Sequence, residues 1–304
     1  MKLGADPEFF ILNEHSNLIN SVRVCPNNKK NPMKIGNDVE IFHDNVLLEF
    51  NMIESNSCEE FVLRCMKAKD YIKNIVPPTY LISLHAYGEL EQEELKTKNS
   101  KDYGCVSDIN AYTLCNNELP LNVLKSSNFR MAGGHIHIGG NETDVVINPI
   151  YKPLYVFMLD LFLGIPSVLI DQSTDSYRRR SYFGMAGSYR DKPYGIEYRV
   201  LSSFWLRNES TIGLYYLLNE FVFHEMNNGI WNKFYKFNLK ELKSNNPEQA
   251  YQCYGYDQES LIRAINTCNY SLARKFFNFA VNFMPNRLVS LVQNEINNPC
   301  SLIF

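Results

Sequence analysis

The chain lacks most of the signatures that place a protein in a class at first sight. None of its eight cysteines (Cys25, Cys58, Cys65, Cys105, Cys115, Cys253, Cys268 and Cys300) belongs to a Cys-x-x-Cys pair. That argues against a structural zinc site and for reduced, mostly buried thiols. Acidic and basic residues nearly balance, 33 against 30, for a formal net charge of −3. That argues against general nucleic-acid binding through a basic surface, while leaving room for local clusters of Arg and Lys. There is no glycine-rich phosphate loop and no Gly-x-Gly-x-x-Gly fingerprint, so the familiar nucleotide folds find no support. The first residues show no basic, apolar, small-residue leader pattern, and a cytoplasmic location without a membrane anchor is expected. The longest apolar region, residues 147–170, is broken by Lys152, Pro153, Asp160, Gly164 and Pro166. A membrane span rarely carries a mid-span Asp and two prolines, so this region reads as a buried helix with a turn. Repeats and long linkers are missing too, which gives one domain over residues 1–304 with a mostly helical part from about 208 onward.

What the chain does carry is a recurring two-residue spacing. Residues 133–140 read Gly-Gly-His-Ile-His-Ile-Gly-Gly. On a strand, residues two apart share a face, so His135 and His137 look one way and Ile136 and Ile138 the other. Flanking glycines permit close approach of a ligand or a neighbouring strand. The same spacing holds Asp6 with Glu8, Glu49 with Asn51, and Glu197 with Arg199, each among apolar residues. The simplest common cause is one sheet whose polar face carries a metal and anion site.

Other elements follow from pattern. Segments 39–43 and 46–51 form strands joined by a tight turn at Asp44-Asn45. Residues 57–76 carry a helical stripe of Phe61, Cys65, Ala68, Ile72 and Ile75, ended by Pro77-Pro78. Residues 80–87 and 131–138 read as strands, and 89–100 as a charged, exposed segment. Helices are expected over 152–164, 208–228, 257–267, 271–283 and 286–297, with Asn208 as N-cap and Gly229 beyond the end of the second. Interspersed helices with antiparallel strand pairings give an α+β fold.

Each constellation has a bland counterpart. Asp6 and Glu8 could line a solvated strand face, but Phe9-Phe10-Ile11-Leu12 beside them point to burial, where carboxylates need cations or water. A lone histidine is usually a satisfied core residue; two on one face between glycine pairs favour a site. The basic, aromatic stretch 176–190 could be a solvated loop, yet its arginines suit a phosphate or carboxylate clamp. Cys105 has no nearby base and reads as a buried thiol, and His85 is a further histidine on a strand-like segment that could face the site.

Taken in order, these motifs resemble a family. Gly4-Ala5-Asp6-Pro7-Glu8-Phe9-Phe10 is similar to the paired-carboxylate strand of glutamine synthetases, and Gly134-His135-Ile136-His137 to their Gly-x-His-x-His strand. Ser176-Tyr177-Arg178-Arg179, Arg190 and Ile196-Glu197-Tyr198-Arg199 resemble their arginine-rich segment with its terminal Glu-x-Arg. The set is most similar to the phage-type amidoligases, carboxylate–amine ligases related to glutamine synthetase and glutamate–cysteine ligase. The resemblance covers residues 3–203 as ordered motifs. It implies a curved, mainly antiparallel sheet flanked by helices, holding ATP and two or three Mg²⁺ or Mn²⁺ ions. Asp6, Glu8, Glu49, His135 and Glu197 would be metal ligands. His137 and Arg190, with Arg180, would face the ATP phosphates; Arg178, Arg190 and Arg199 would hold the substrate carboxylate or the transferred phosphoryl group. Substrates would be a small-molecule or peptide carboxylate and an amine. The first carboxylate is Asp6 where glutamine synthetases usually have Glu, and Asn51 stands where a second carboxylate is expected. Two other readings remain open from the residues alone: a zinc hydrolase using His135, His137 and His85, and a non-catalytic phage protein of the same fold.

Overall fold

The computed structural model describes residues 1–97, 100, 108–118, 120–299 and 301–304. Cys105 and Cys300 therefore lie outside the described residues. Alternation in the first strand, β1 (Lys2–Leu12), sets the architecture: Leu3, Ala5, Phe9 and Ile11 are buried towards the helices, while Gly4, Asp6 and Glu8 take the opposite face. The remaining strands are β2 (Leu18–Ile19), β3 (Met33–Ile35), β4 (Val39–Asp44), β5 (Leu47–Ser55), β6 (Leu81–Ser83), β7 (Tyr87–Glu89), β8 (Ile109–Asn110), β9 (Phe129–Met131), β10 (Gly134–Gly139), β11 (Ser188–Lys192), β12 (Gly195–Tyr198), β13 (Tyr235–Phe237) and β14 (Tyr251–Cys253).

The main sheet runs β3-β4-β5-β1-β10-β12-β11-β8, with β2 and β6 also pairing with β1. Every pairing in it is antiparallel. The four strands carrying the two-residue motifs are adjacent, in the order β5-β1-β10-β12. The β4–β5 turn falls at Asn45, whose φ of 56° is the left-handed conformation that Asn tolerates.

Helices cover the apolar face. Cys58–Ile75 starts at Ser57, whose hydroxyl caps Glu60 N–H, and buries Phe61, Cys65, Ala68 and Ile72. Phe61 stacks on Trp205 and meets Tyr216 of the helix Glu209–Asn227. That helix is capped by Asn208 and stops before Gly229, which has φ 78°. The apolar region at Lys152–Ile170 is one helical run, long and apolar enough by composition to cross a membrane, but all of it is buried inside the protein. Its ladder widens at Asp160–Gly164, where Ile165 N–H donates to Asp160 O. Pro166 next to this turn has no N–H to give, which favours the wider turn.

Several expected boundaries move. The strand expected over 80–87 is broken into β6 and β7, and the histidine strand into β9 and β10. The breaks let β7 pair with β9 as a separate ribbon. Leu90 and Leu95, in the segment expected to be exposed, are buried with Phe10, Val46, Leu47 and Ala132 in a small apolar cluster. The mostly helical C-terminal part also contains the β13–β14 hairpin. Among the described cysteines Cys25 and Cys65 are buried, while Cys115 is exposed.

Gly134 shows why the histidine motif needs glycine. A Cβ there would overlap the Ser202 carbonyl and Trp205 Nε1, and Trp205 Nε1 already donates to Gly134 O at 3.1 Å. Gly134→Ala is expected to destabilise the fold by about 3 kcal/mol, since backbone rather than a flexible side chain must give way. Urea unfolding checks this; an unchanged midpoint would show that the strand shifts freely.

Candidate active site

Strand register brings the polar residues together. Asp6 lies across from His135, Glu8 across from Glu49, and His137 across from Glu197. Cross-strand partners point to the same face, so the side chains converge. Two groups result, each with one ligand atom per residue within 4.8 Å of the others: Asp6, His137 and Glu197, and Glu8, Asp44 and Glu49.

The first group differs in detail from the expectation. Asp6 and Glu197 are where they were expected. The nitrogen of the tight group, however, is His137 Nε2, 3.0 Å from Asp6 Oδ1, although His137 was expected at the ATP phosphates. The expected ligand His135 flanks the group, with Nδ1 3.4 Å from Asp6 Oδ1 and 3.9 Å from Glu197 Oε1. Arg199 Nη1 donates to that Nδ1 at 3.0 Å. Two-residue spacing fixes the face but not the depth, and His135 is the deeper of the pair.

The second group gains Asp44. The Asp-Asn turn accounted for that residue in the sequence, yet β4 alternation places it two after Phe42, which lies opposite Glu49. Glu49 Oε1 is buried and has no hydrogen-bond donor among the described residues; Lys29 Nζ approaches it to 3.7 Å. Gly133 N–H donates to Glu8 Oε2 at 2.5 Å. Three converging carboxylates with an orphaned oxygen fit a hard, oxygen-loving divalent cation. The first group, two carboxylates and an imidazole, fits Mg²⁺ or Mn²⁺ equally.

The proton affinities carry the same signature. Burial, reinforced by the Asp44 charge, pushes Glu8 up to about 7. Burial, then Asp6 and Glu8, push Glu49 well above the usual carboxylate range. In the first group burial also raises the acids, but the histidines and Arg199 prevail: Asp6 is held well below its ordinary value and Glu197 falls to about 2. Burial and the Arg199 charge bring His135 down to about 4, so it is neutral at pH 7.

Protein cations line the groups. Lys192 Nζ sits 2.8 Å from Glu197 Oε2. Arg190 reaches Glu197 Oε1 at 3.5 Å and Asp108 Oδ1 at 3.4 Å, and its side chain is 29% exposed. Arg199 is buried, and its guanidinium meets Asp108 at 2.7 Å as well as Glu197 and His135. Its guanidinium is thus taken up by Glu197, His135 and Asp108, where the expectation had it holding substrate. Two further expectations are corrected. Arg180 is buried away from the site, donating to Ile265 O at 3.0 Å and Ser167 Oγ at 2.8 Å. Arg178 is exposed and lies 5.1 Å over the Tyr87 ring. The stretch expected as a clamp starts in the helix Thr174–Arg180 and continues through turns into β11, and a helix sends successive arginines in different directions. His85 pairs with Asp175 at 2.5 Å and enters neither group.

Beside the first group a cleft of about 520 Å³ opens, lined among others by Asp6, His137, Lys29, Lys192, Tyr194 and Met52. Lys29, Asp108, Lys192 and Tyr194 were not singled out from sequence. Lys192 ends β11 and Tyr194 sits in the turn that follows, both between Arg190 and Glu197, and that proximity was the available signal.

The fold and site define a protein whose sheet face carries two clusters of acidic and imidazole groups edged by arginine and lysine. Residues 124–280, just over half of the chain, match the family described as Phage phiEco32-like COOH.NH2 ligase-type 2. The chain belongs to that family. The match extends well beyond Arg199, so much of the C-terminal part, in which no motif was read, is part of the family's domain. No curated protein matches the sequence. Among solved structures, a bifunctional glutathione synthetase from Pasteurella multocida is similar with a TM-score of 0.44 at 9% identity, over 97% of this chain and 51% of that one. The chain thus spans about half the length of that protein.

Proposed function

We propose that the chain is an ATP-dependent carboxylate–amine ligase working through an acyl phosphate on a glutamine synthetase-like sheet. The observation that carries this reading is the pair of ligand groups on one face, with Arg190 and Lys192 beside them and no activated nucleophile among the described site residues. Phosphoryl transfer asks little covalent work of a protein; it asks for positioning and positive charge where negative charge develops. Asp6, His137 and Glu197 would hold one Mg²⁺ or Mn²⁺, and Glu8, Asp44 and Glu49 another. When bound, such cations neutralise phosphate charge.

The substrate carboxylate oxygen attacks the γ-phosphorus, and the bond to the ADP oxygen breaks. The amine nitrogen then attacks the acyl carbon, losing a proton, and the carbon–oxygen bond to phosphate breaks. Arg190 is placed to meet the transferring group, since its guanidinium is partly open. Lys192 neutralises Glu197 and faces the cleft. Arg199 fixes Glu197 and His135. The phage-type kinship fits action in a host cytoplasm on small-molecule or peptide acids and amines.

The test is a panel of acids and amines with ATP and Mg²⁺. ADP, phosphate and amide should appear in equal amounts. If ATP is untouched across the panel while the zinc-loaded protein hydrolyses esters or amides, the ligase reading is overturned.

A further inference from the structure

Tyr194 has no part in the mechanism above, yet it contacts the site directly. It is 45% exposed, at the turn between β11 and β12, and its hydroxyl lies 2.5 Å from His137 Nδ1. We propose that Tyr194 is a positioning residue for His137, holding the imidazole so that Nε2 faces Asp6 and a bound divalent cation. The inference rests on the cation sites of the proposed function.

The argument starts from the two histidines, which share a face but have opposite partners. Arg199 can only donate, so His135 Nδ1 must accept and His135 Nε2 must keep the ring proton. That Nε2 packs against Gly133, where a Cβ would collide with it. Neither nitrogen of His135 is readily free for a cation. His137 faces a phenol, which can donate or accept. In the metal-free chain Nε2 lies 3.0 Å from Asp6 Oδ1, which places a proton on Nε2; when the ring carries that proton alone, Tyr194 is the donor to Nδ1. With a cation on the Nε2 lone pair, the ring proton sits on Nδ1 and the Tyr194 oxygen accepts it. The same contact serves both tautomers. Metal-ligating histidines usually have such a partner on the other nitrogen.

The turn that carries Tyr194 is anchored. Buried Lys152 pairs with Asp191 and donates to Lys192 O at 2.9 Å. Gly140 N–H donates to Tyr194 O at 3.2 Å. Gly195, at φ 147°, lies so close to the Ile138 carbonyl that no side chain fits. Lys192, at the end of β11 in this same hairpin, pairs with Glu197. One rigid hairpin therefore sets two of the three members of the first group.

The test separates the two cation sites by background. Mn²⁺ calorimetry is run on Tyr194→Phe combined with Glu49→Gln, which leaves the first group intact, and with Glu197→Gln, which leaves the second. Tyr194→Phe should weaken Mn²⁺ about tenfold in the Glu49→Gln background and leave the Glu197→Gln background unchanged. In ¹⁵N spectra at one sub-saturating Mg²⁺ concentration, the Nδ1–H tautomer of His137 should be less populated in Tyr194→Phe than in the parent. Equal weakening in both backgrounds, or parent affinity in both with an unchanged His137 spectrum, overturns the positioning role. A parent chain that binds no Mn²⁺ overturns the proposed function along with it.

Discussion

Arg190→Ala should slow turnover by about 10²–10³-fold at saturating substrates, the usual effect of losing one well-placed donor to developing charge. Its melting temperature should stay near the parent's. The separation is expected because Arg190 is 29% exposed and its ion-pair contacts to Asp108 and Glu197 are long, at 3.4 and 3.5 Å. Exposed or loose pairs contribute little to stability. Arg199 makes the contrast: it is buried, with closer contacts to Asp108, Glu197 and His135, so its loss would unsettle fold and site together. Arg190→Lys should recover only part of the rate, since the charge survives and the planar fork does not. A coupled ADP-release assay beside thermal melting checks this. An Arg190→Ala chain that melts normally and turns over at the parent rate removes Arg190 from the chemistry.

The parts of this site that were legible in the sequence share one physical origin. Period-two alternation is a property of a single strand, so the common face of Asp6 and Glu8, or of Glu197 and Arg199, needs no tertiary knowledge. Adjacent strands then had to pair, because each offered one polar and one apolar face. What stayed hidden depends on contacts distant in sequence. Arg180 leaves the site because its guanidinium finds Ile265 O on a helix 85 residues further on. Asp44 joins Glu8 and Glu49 only once the β4–β5 hairpin is laid beside β1. The depth of Arg199 relative to Arg190 depends on Asp108, which follows a segment that local pattern reads simply as turns. His137, not His135, is the nitrogen of the tight group because Arg199 lies against the inner ring.

Glu8→Gln should abolish one cation site and, without metal, make the chain more stable at neutral pH. The cause is the cluster itself. Burial and the neighbouring Asp44 raise Glu8 from 4.5 in the unfolded chain to about 7 in the folded one. A carboxyl raised in this way contributes stability that is present below pH 4.5 and lost as pH rises through 7. The loss amounts to about 3 kcal/mol, from 1.36 kcal/mol per pKa unit. Other groups titrate in the same window: Glu49 and Asp160 act in the same direction, and His135, held down at about 4, acts against them. The parent curve alone is therefore ambiguous, and the difference between parent and variant is the informative quantity. Glutamine keeps the shape and an oxygen for Gly133 N–H but cannot ionise. Metal-free Glu8→Gln should gain on the parent progressively from pH 4.5 to about 7.5, by thermal melts in chelator. With saturating Mg²⁺ the order should reverse, because a divalent cation repays the repulsion among Glu8, Asp44 and Glu49 in the parent. Affinity for Mn²⁺ at this group should fall by at least about 100-fold, no less than the loss of an outer partner. If the two metal-free curves run parallel across that range, Glu8 does not bear the strain assigned to it. If Mg²⁺ raises both melting temperatures equally, the Glu8, Asp44 and Glu49 cluster is not a cation site. A group that weakens the empty fold and strengthens the loaded one is placed for binding rather than for folding.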